Sequence, residues 1–467
     1  MSNQNLESMI SIRRDKLSNL RTANKAYPNS FKKDCSLLEA KTKENCSSAG
    51  RIITKRFMGK ICFATLQDES GTLQIVADLS TENFQEFKTL DIGDIIGFTG
   101  NPFKTIAGED SSKITSFICL TKALRPLPDK WGGISDIETS YRQRYLDLIV
   151  NPENRKIFEI RSHIISYIRK FFENQNFIEV ETPILMHLVG GANAKPFNTH
   201  HNHLDVDLIM RIAPELNLKR LLVGGFENIF EIGKNFRNEG ISIRHNPEFT
   251  MLEFYQAYKN VNDGIKQTKD LLFNIGNILS EKFSIGNKFV SFREETMLHL
   301  VEMETSIDIS KITDIEYMRN FALSLNVHYS DNDGCGQILT NIFEVKVEKF
   351  LVDPIFVTNF PSEVSPLAKK SANDFFSERF ELYVDGFELA NGYSELNDPE
   401  QQAEYFAKQV ASKNDEAMQY DTDYIVALEH GMPPACGVGI GIDRLIQYLT
   451  NSKSIRDVIL FPTLRQI

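Results

Sequence analysis

Between Gly50 and Leu124 the chain breaks into short strand-like runs: "GRIITKRF", "KICFATLQDESGTLQIVAD", "GDIIGFTGNPF" and "SKITSFICLTKAL". Gly, Pro and Asp punctuate them, which is the pattern of strands joined by tight turns. Five short strands in about 75 residues suit a small barrel. An OB-fold is the commonest nucleic-acid-binding barrel of that size, so residues 47–125 are expected to form one.

The rest of the chain follows from that anchor. Its 467 residues exceed what one core can organise, so further domains are expected. Residues 1–46 read as a basic helical segment, with Leu6, Met9, Ile10, Leu17 and Leu20 at helical spacing before Pro28. "ALRPLPDKWGG" (123–133) is rich in Pro and Gly, which suggests a linker over 126–140. From 141 to 467, helices and strands mix without strict βαβ alternation, the texture of an α+β domain with a largely antiparallel sheet. "NRKIFEIRSHIISYIRKFFENQ" carries one apolar stripe and reads as a helix. "FIEVETPIL" reads as a strand ended by Pro183, and a helical insertion is expected near 262–350.

No run of about 18 apolar residues occurs, which argues against a membrane span. The charged N-terminus lacks the apolar core of a secretory signal, so a cytoplasmic chain is expected. The six cysteines include no C-x-x-C pair and read as free, buried thiols. His200, His201 and His203 in "NTHHNHLD" read as hydrogen-bonded turn residues rather than metal ligands. Net charge is −11, yet residues 1–60 hold 13 Lys and Arg against 5 Asp and Glu. A basic end on an acidic body can steer a polyanion.

Chemistry concentrates in two stretches. In "IFEIGKNFRNE" (229–239), running into "NFRNEGISIRHNPEFTMLEFYQAY" (235–258), alternation puts Glu231, Asn235, Arg237 and Glu239 on one strand face, and Phe249, Met251, Glu253 and Tyr255 on one face of the return. Arg237 can grip a carboxylate or phosphate in two-pronged fashion, and Phe249 can stack on a flat ring. In "RFELYVDGFELANGYSELND" (379–398), Asp385-Gly386 marks a two-residue hairpin turn. That turn would pair Tyr383 with Glu388 and Glu381 with Ala390, leaving Glu381 and Glu388 diagonal at about 7–8 Å. Two carboxylates so placed repel unless a cation lies between them, and hard oxygen ligands point to Mg²⁺. Asn391, Tyr393 and Glu395 have the other parity, so they share a cavity with Glu388 only if a bulge falls near Ala390–Gly392. Neither a P-loop nor a βαβ-opening G-x-G-x-x-G occurs. "GVGIGIDRL" (437–445) instead runs from a strand into a helix with Arg444 in its first turn, beside exposed backbone N–H groups suited to phosphate. Solvated ion pairs remain the alternative for each of these groups taken singly.

Taken as an ordered series, these segments resemble the class II aminoacyl-tRNA synthetases, most closely the lysine-specific branch. "FIEVETPIL" looks like the family's first motif, at a dimer interface; "NFRNEGISIRHNPEFTMLEFY" looks like the second and "GVGIGIDRL" the third. "GGANAKPF", "RIAPELNLKRL", "FPSEVSPLAK", "NGYSELND" and "RDVILFP" match the lysine branch. The resemblance implies a homodimeric enzyme that joins ATP, L-lysine and tRNA-Lys. Arg237 and Arg444 would be catalytic, and Arg237, Glu239, His245, Phe249, Glu381 and Arg444 would bind ATP. Glu381 and Glu388 would hold Mg²⁺. Gly191, Glu215, Arg237, Glu253, Tyr255, Asn391, Tyr393 and Glu395 would bind lysine. Phe57, Phe63 and Gln74 would meet the anticodon. An aspartate- or asparagine-specific relative, a paralogue that attaches lysine to protein, and an inactive RNA-binding paralogue are the alternatives.

Glu395→Gln is expected to raise KM for lysine strongly while leaving ATP affinity nearly unchanged, because a buried carboxylate is what selects an ammonium. Unchanged lysine kinetics in that variant would refute the assignment.

Overall fold

The computed structural model describes residues 3–128, 134, 136–411 and 419–465. The expected linker over 126–140 lies partly outside the described residues, at 129–133 and 135. The chain divides into two compact units, Met1–Asp136 and Ile137–Ile467. No helix among the described residues is long and apolar enough to cross a membrane.

The first unit opens with a helix, Asn3–Thr22. Strands β1 (Cys46–Met58), β2 (Ile61–Gln67), β3 (Thr72–Ala77), β4 (Ile95–Lys104) and β5 (Asp110–Thr121) follow and close into a barrel in the order β1-β2-β3-β5-β4. This is the expected OB-fold. Alternation builds it: on β2, Cys62, Ala64 and Leu66 point into the core, where they meet Ile75, Ile96 and Phe98. The helix Phe84–Thr89 contributes Phe84 and Phe87 to the same core. Gly97 leaves room for Phe31, whose ring would lie 2.6 Å from a Cβ there.

The second unit is built, among the described residues, on an eight-stranded sheet. Its strands are β6 (Ile178–Glu179), β10 (Asn228–Phe236), β11 (Glu248–Ala257), β12 (Arg293–Thr296), β13 (Ile355–Thr358), β14 (Arg379–Val384), β15 (Phe387–Ser394) and β16 (Ala435–Gly441). Strands β7 (Leu185–Met186), β8 (Phe197–His201) and β9 (Val206–Met210) form a separate small sheet. The large sheet runs β12-β13-β14-β15-β16-β11-β10-β6 and is antiparallel from β13 to β10, with a parallel pair at each edge. Before Pro183, "FIEVETPIL" yields only the two-residue strand β6, because after Val180 bonds Phe230 the chain leaves the sheet.

The helices Glu153–Glu173 and Val261–Phe283 cover the sheet through Ile160, Ile164, Ile168 and Phe172 and through Leu271, Leu272, Ile275 and Leu279. The helical stretch expected over 262–350 therefore divides. Val261–Phe283 belongs to the main core, and only Met297–Thr305, Ile315–Ser324 and Cys335–Lys346 build a second cluster of their own with β13. The amphipathic period is the same in both groups, so periodicity could not separate them.

Gly264 brings the helix Val261–Phe283 close to β16: a Cβ there would lie 2.5 Å from Cys436 Sγ. Gly264→Ala is expected to destabilise the unit by about 1–3 kcal/mol despite its better helix propensity. Thermal unfolding should show a lower Tm, and adding Cys436→Ala should recover part of the loss.

Candidate active site

The site grows from β16 and its two neighbours. Gly437, Gly439 and Gly441 pair on one side with Tyr255, Glu253 and Met251 of β11, and Gly437 and Gly439 pair on the other with Tyr393 and Asn391 of β15. The three glycines present no side chain, so the flanking polar side chains look across an open floor. A Cβ at Gly437 would collide with Glu395 Oε1 and the Tyr255 ring. The alternating glycines are thus a spatial requirement of the site.

On the hairpin, Val384 pairs with Phe387 and Tyr383 with Glu388, as the Asp385-Gly386 turn dictates. A bulge at Leu389 then shifts the register. Leu382 pairs with Ala390 and Glu381 with Asn391, not Glu381 with Ala390 as expected from an unbroken ladder. The bulge falls one residue before the stretch foreseen for it. Its effect is the one required: the extra residue turns Asn391 and Tyr393 onto the cavity shared with Glu381 and Glu388.

Two cavities meet there. One, of about 240 Å³, is lined by Arg237, Glu239, His245, Phe249, Glu388 and Arg444 among others. The second, of about 320 Å³, is lined by Gly191, Glu215, Glu253, Tyr255, Asn391 and Tyr393, with Glu381 nearby. Arg237, Met251, Glu388 and Gly439 line both. Glu395 sits behind the second cavity, 1% exposed, while Glu239 is exposed at the mouth of the first.

Arg237 stands just past the end of β10, its guanidinium 5.1 Å from the centre of the Phe249 ring. Its Nε is buried without a hydrogen-bond partner among the described residues. A buried guanidinium with an unused donor is a site for an anion. Arg444, in the first turn of the helix Ile442–Thr450, donates to the Glu388 carbonyl at 2.7 Å and lies 3.1 Å from His245 Nε2. Burial and the Arg444 charge hold the His245 pKa below its ordinary value, so the ring is neutral at pH 7 and its Nε2 accepts from Arg444. Asp443 anchors this helix start, accepting from Thr250 N at 2.6 Å and from Arg161 at 2.5 Å.

The far end of the second cavity is acidic. Lys219 is fully buried, and its Nζ lies 2.6 Å from Glu215 Oε1 and 2.5 Å from Glu395 Oε2. Tyr393 donates to Glu215 at 2.5 Å and Tyr255 to Glu253 at 3.1 Å. Glu395 Oε1 has no hydrogen-bond partner among the described residues. Burial, with Glu215 adding, pushes the Glu253 carboxyl up to about 8. Glu395 is also raised to about 8, by burial and by Glu215, against the pull of Lys219. Gly191, at φ +83°, packs against Glu215, where any side chain would be strained and crowded.

Sequence reasoning missed Lys219 and Arg379. Lys219 follows Glu215 by four residues on the helix Glu215–Val223, a spacing that places the two on one face and could have drawn attention. Arg379 donates to Glu381 at 2.5 Å and to Asn391 at 3.1 Å. No sequence signal marks it beyond its place opposite Tyr393 in the hairpin. Glu381 is raised to about 7, by burial and by the Glu388 charge despite Arg379. Excess negative charge of this kind suits a divalent cation, although no group of three or more metal-type side chains occurs among the described residues. His200 contacts Asp207 and His201 accepts from Leu204 N, within a polar turn.

In the barrel, a bulge in β1 between Ile52 and Thr54 resets the alternation. Arg56 then pairs with Phe63 and lies over its ring, whereas Phe57 pairs with Cys62, so the two phenylalanines occupy opposite faces of the hairpin. Gln74 is buried, bonded to Arg56 at 3.2 Å and to Ser111 at 3.0 Å.

Residues 136–465 match the family of tRNA synthetases class II (D, K and N), to which the chain belongs. Residues 47–119 match the OB-fold nucleic acid binding domain. Among its relatives are the lysine–tRNA ligases of Escherichia coli (strain K12) and Shigella dysenteriae serotype 1, each 47% identical across 99% of this chain and 97% of the relative. That of Cronobacter sakazakii is 46% identical over the same shares.

Glu253 and Glu395, with pKa values raised to about 8, are largely protonated at pH 7 while the pocket is empty. A cation placed against them would need them ionised, so binding of one there should release protons and tighten as pH rises from about 6 through 8. Calorimetry at pH 7 in buffers of different ionisation enthalpy should register that release; no buffer dependence would contradict it.

Proposed function

We propose that the chain is a lysine–tRNA ligase, which activates L-lysine with ATP to lysyl-adenylate and pyrophosphate and then transfers lysine to the 3′ end of tRNA-Lys. The observation that carries this reading is the buried Glu395, its Oε1 without a hydrogen-bond partner among the described residues, behind an acidic cavity that Arg237 also lines. Glu215, Glu253 and Glu395 would receive the two ammonium groups of lysine, while Arg237 and Asn391 would hold its carboxylate. An aspartate side chain in that place would face carboxylates instead of cations. The loss of several kcal/mol that an unpaired buried charge brings favours lysine over neutral analogues too.

Activation brings a carboxylate against the α-phosphorus of ATP, and both carry negative charge. Arg237 lies where the two cavities join and would grip the carboxylate and the α-phosphate together as the attacking oxygen approaches in line. Phe249 would stack on adenine, with Glu239 and His245 beside the nucleotide, and Arg444 would offset charge on the γ-phosphate. Glu381 and Glu388 would hold Mg²⁺, which supplies further neutralisation of the triphosphate. No side-chain nucleophile is required. In the transfer step a terminal ribose hydroxyl of the tRNA, the 3′-hydroxyl in class II relatives, attacks the adenylate carbonyl and releases AMP.

The barrel would bind the anticodon, with Phe57 and Phe63 as stacking surfaces on different faces and Arg56 and Gln74 beside Phe63. A cytoplasmic homodimer is the expected working form.

ATP–pyrophosphate exchange, run separately with lysine, aspartate and asparagine, tests the proposal. Exchange should depend on lysine alone. Activity with aspartate or asparagine would assign a sister specificity, and none with any of the three would indicate a non-catalytic RNA-binding role.

A further inference from the structure

We propose that Lys219 is a positioning residue of the amino-acid cavity, a built-in ammonium that ties Glu215 to Glu395 and so sets both the spacing and the charge presented to lysine. The inference rests on the lysine-ligase reading above and adds a residue to it.

Three carboxylates, Glu215, Glu253 and Glu395, converge on this end of the molecule, and Lys219 is the ammonium placed among them. With all three ionised, as a bound cation requires, two negative charges are left over. Lysine brings two ammonium groups, and its carboxylate goes to Arg237 at the other end. The counts agree only with Lys219 in place. Its position also ties two different segments: Glu215 opens the helix Glu215–Val223, while Glu395 follows β15 and is held by Glu395 N donating to Ala435 O at 2.8 Å. A single nitrogen, 2.6 Å from one carboxylate and 2.5 Å from the other, fixes the gap between them. By taking Glu395 Oε2 it leaves Oε1 turned to Gly437, where a missing side chain opens the cavity floor.

Lys219 faces Glu215 on its own helix, Glu395 and Tyr393 from the β15 side, and Tyr424 from the helix Thr422–Glu429. Without it Glu215 and Glu395 would repel one another, spread, and take up a proton between them. The cavity would then lose both its length and its charge complement. Discrimination against ornithine, one methylene shorter, depends on that length.

Lys219→Met, close in shape but uncharged, is the direct test, in the full chain. KM for lysine should rise about 100-fold, as loss of one partner in a buried ion pair implies, with KM for ATP changed by less than about 3-fold. Preference for lysine over ornithine should shrink, and about one extra proton should be released per lysine bound near pH 7. Propylammonium added to Lys219→Ala should restore part of the lysine affinity, since it replaces the missing atoms. Should the methionine variant not fold, Lys219→Gln, whose amide still donates to one carboxylate, is expected to show the same split between lysine and ATP. Lysine KM within about 3-fold of the parent, parallel losses for lysine and ATP, or no propylammonium response in a folded variant would each overturn the proposal. Absence of lysine-dependent exchange in the unmodified protein would instead overturn the ligase reading.

Discussion

The shortage of positive charge around Glu215, Glu253 and Glu395 governs the active centre. Three carboxylates taken out of water are tolerated only when cations or protons accompany them. One ammonium is supplied from within by Lys219, and burial leaves Glu253 and Glu395 holding protons near neutral pH. The empty cavity is therefore an unsatisfied arrangement that a dication with a carboxylate tail completes. Arg237 presents the reverse situation a few residues away, a buried guanidinium with a donor unused. Opposite deficits at the two ends of one cavity suit a zwitterionic ligand held in one orientation.

Both deficits depend on the backbone of β16. Side chains at Gly437 or Gly439 would fill the space between β11 and β15, and the charged groups would then be buried against carbon rather than facing a ligand. The core below keeps that floor flat: the helices Glu153–Glu173 and Val261–Phe283 press on the other face of the sheet. Those helices cover one face, while the other carries the cavities beside a smaller packed cluster around Leu216, Tyr255 and Tyr424.

How much of this could be read beforehand depended on whether the information was local. The Asp385-Gly386 turn, the strand alternation around Arg237 and the barrel strands are short-range features, and each appears where its residues imply. The bulge at Leu389 is not local in that sense. Small residues allowed one nearby, but which residue is extruded depends on Glu381 meeting Asn391 across the ladder. Phe57 and Phe63 fall on opposite faces through the hairpin register itself, because Phe57 meets Cys62 while Arg56 meets Phe63. Lys219 was overlooked because an interior lysine in an amphipathic helix looks like a solvated one until its neighbours in space are known. Helical period alone likewise merged Val261–Phe283 with the insertion that follows it.

Asp443 has a wider reach than its own contacts indicate. One carboxylate fastens the start of the Arg444 helix to the edge of β11 through Thr250 N and to the long helix Glu153–Glu173 through Arg161. The Arg444 guanidinium is thereby tied to a helix that lines neither cavity. A shift of that helix would pass to Arg444 through Asp443, with no intervening loop to absorb it.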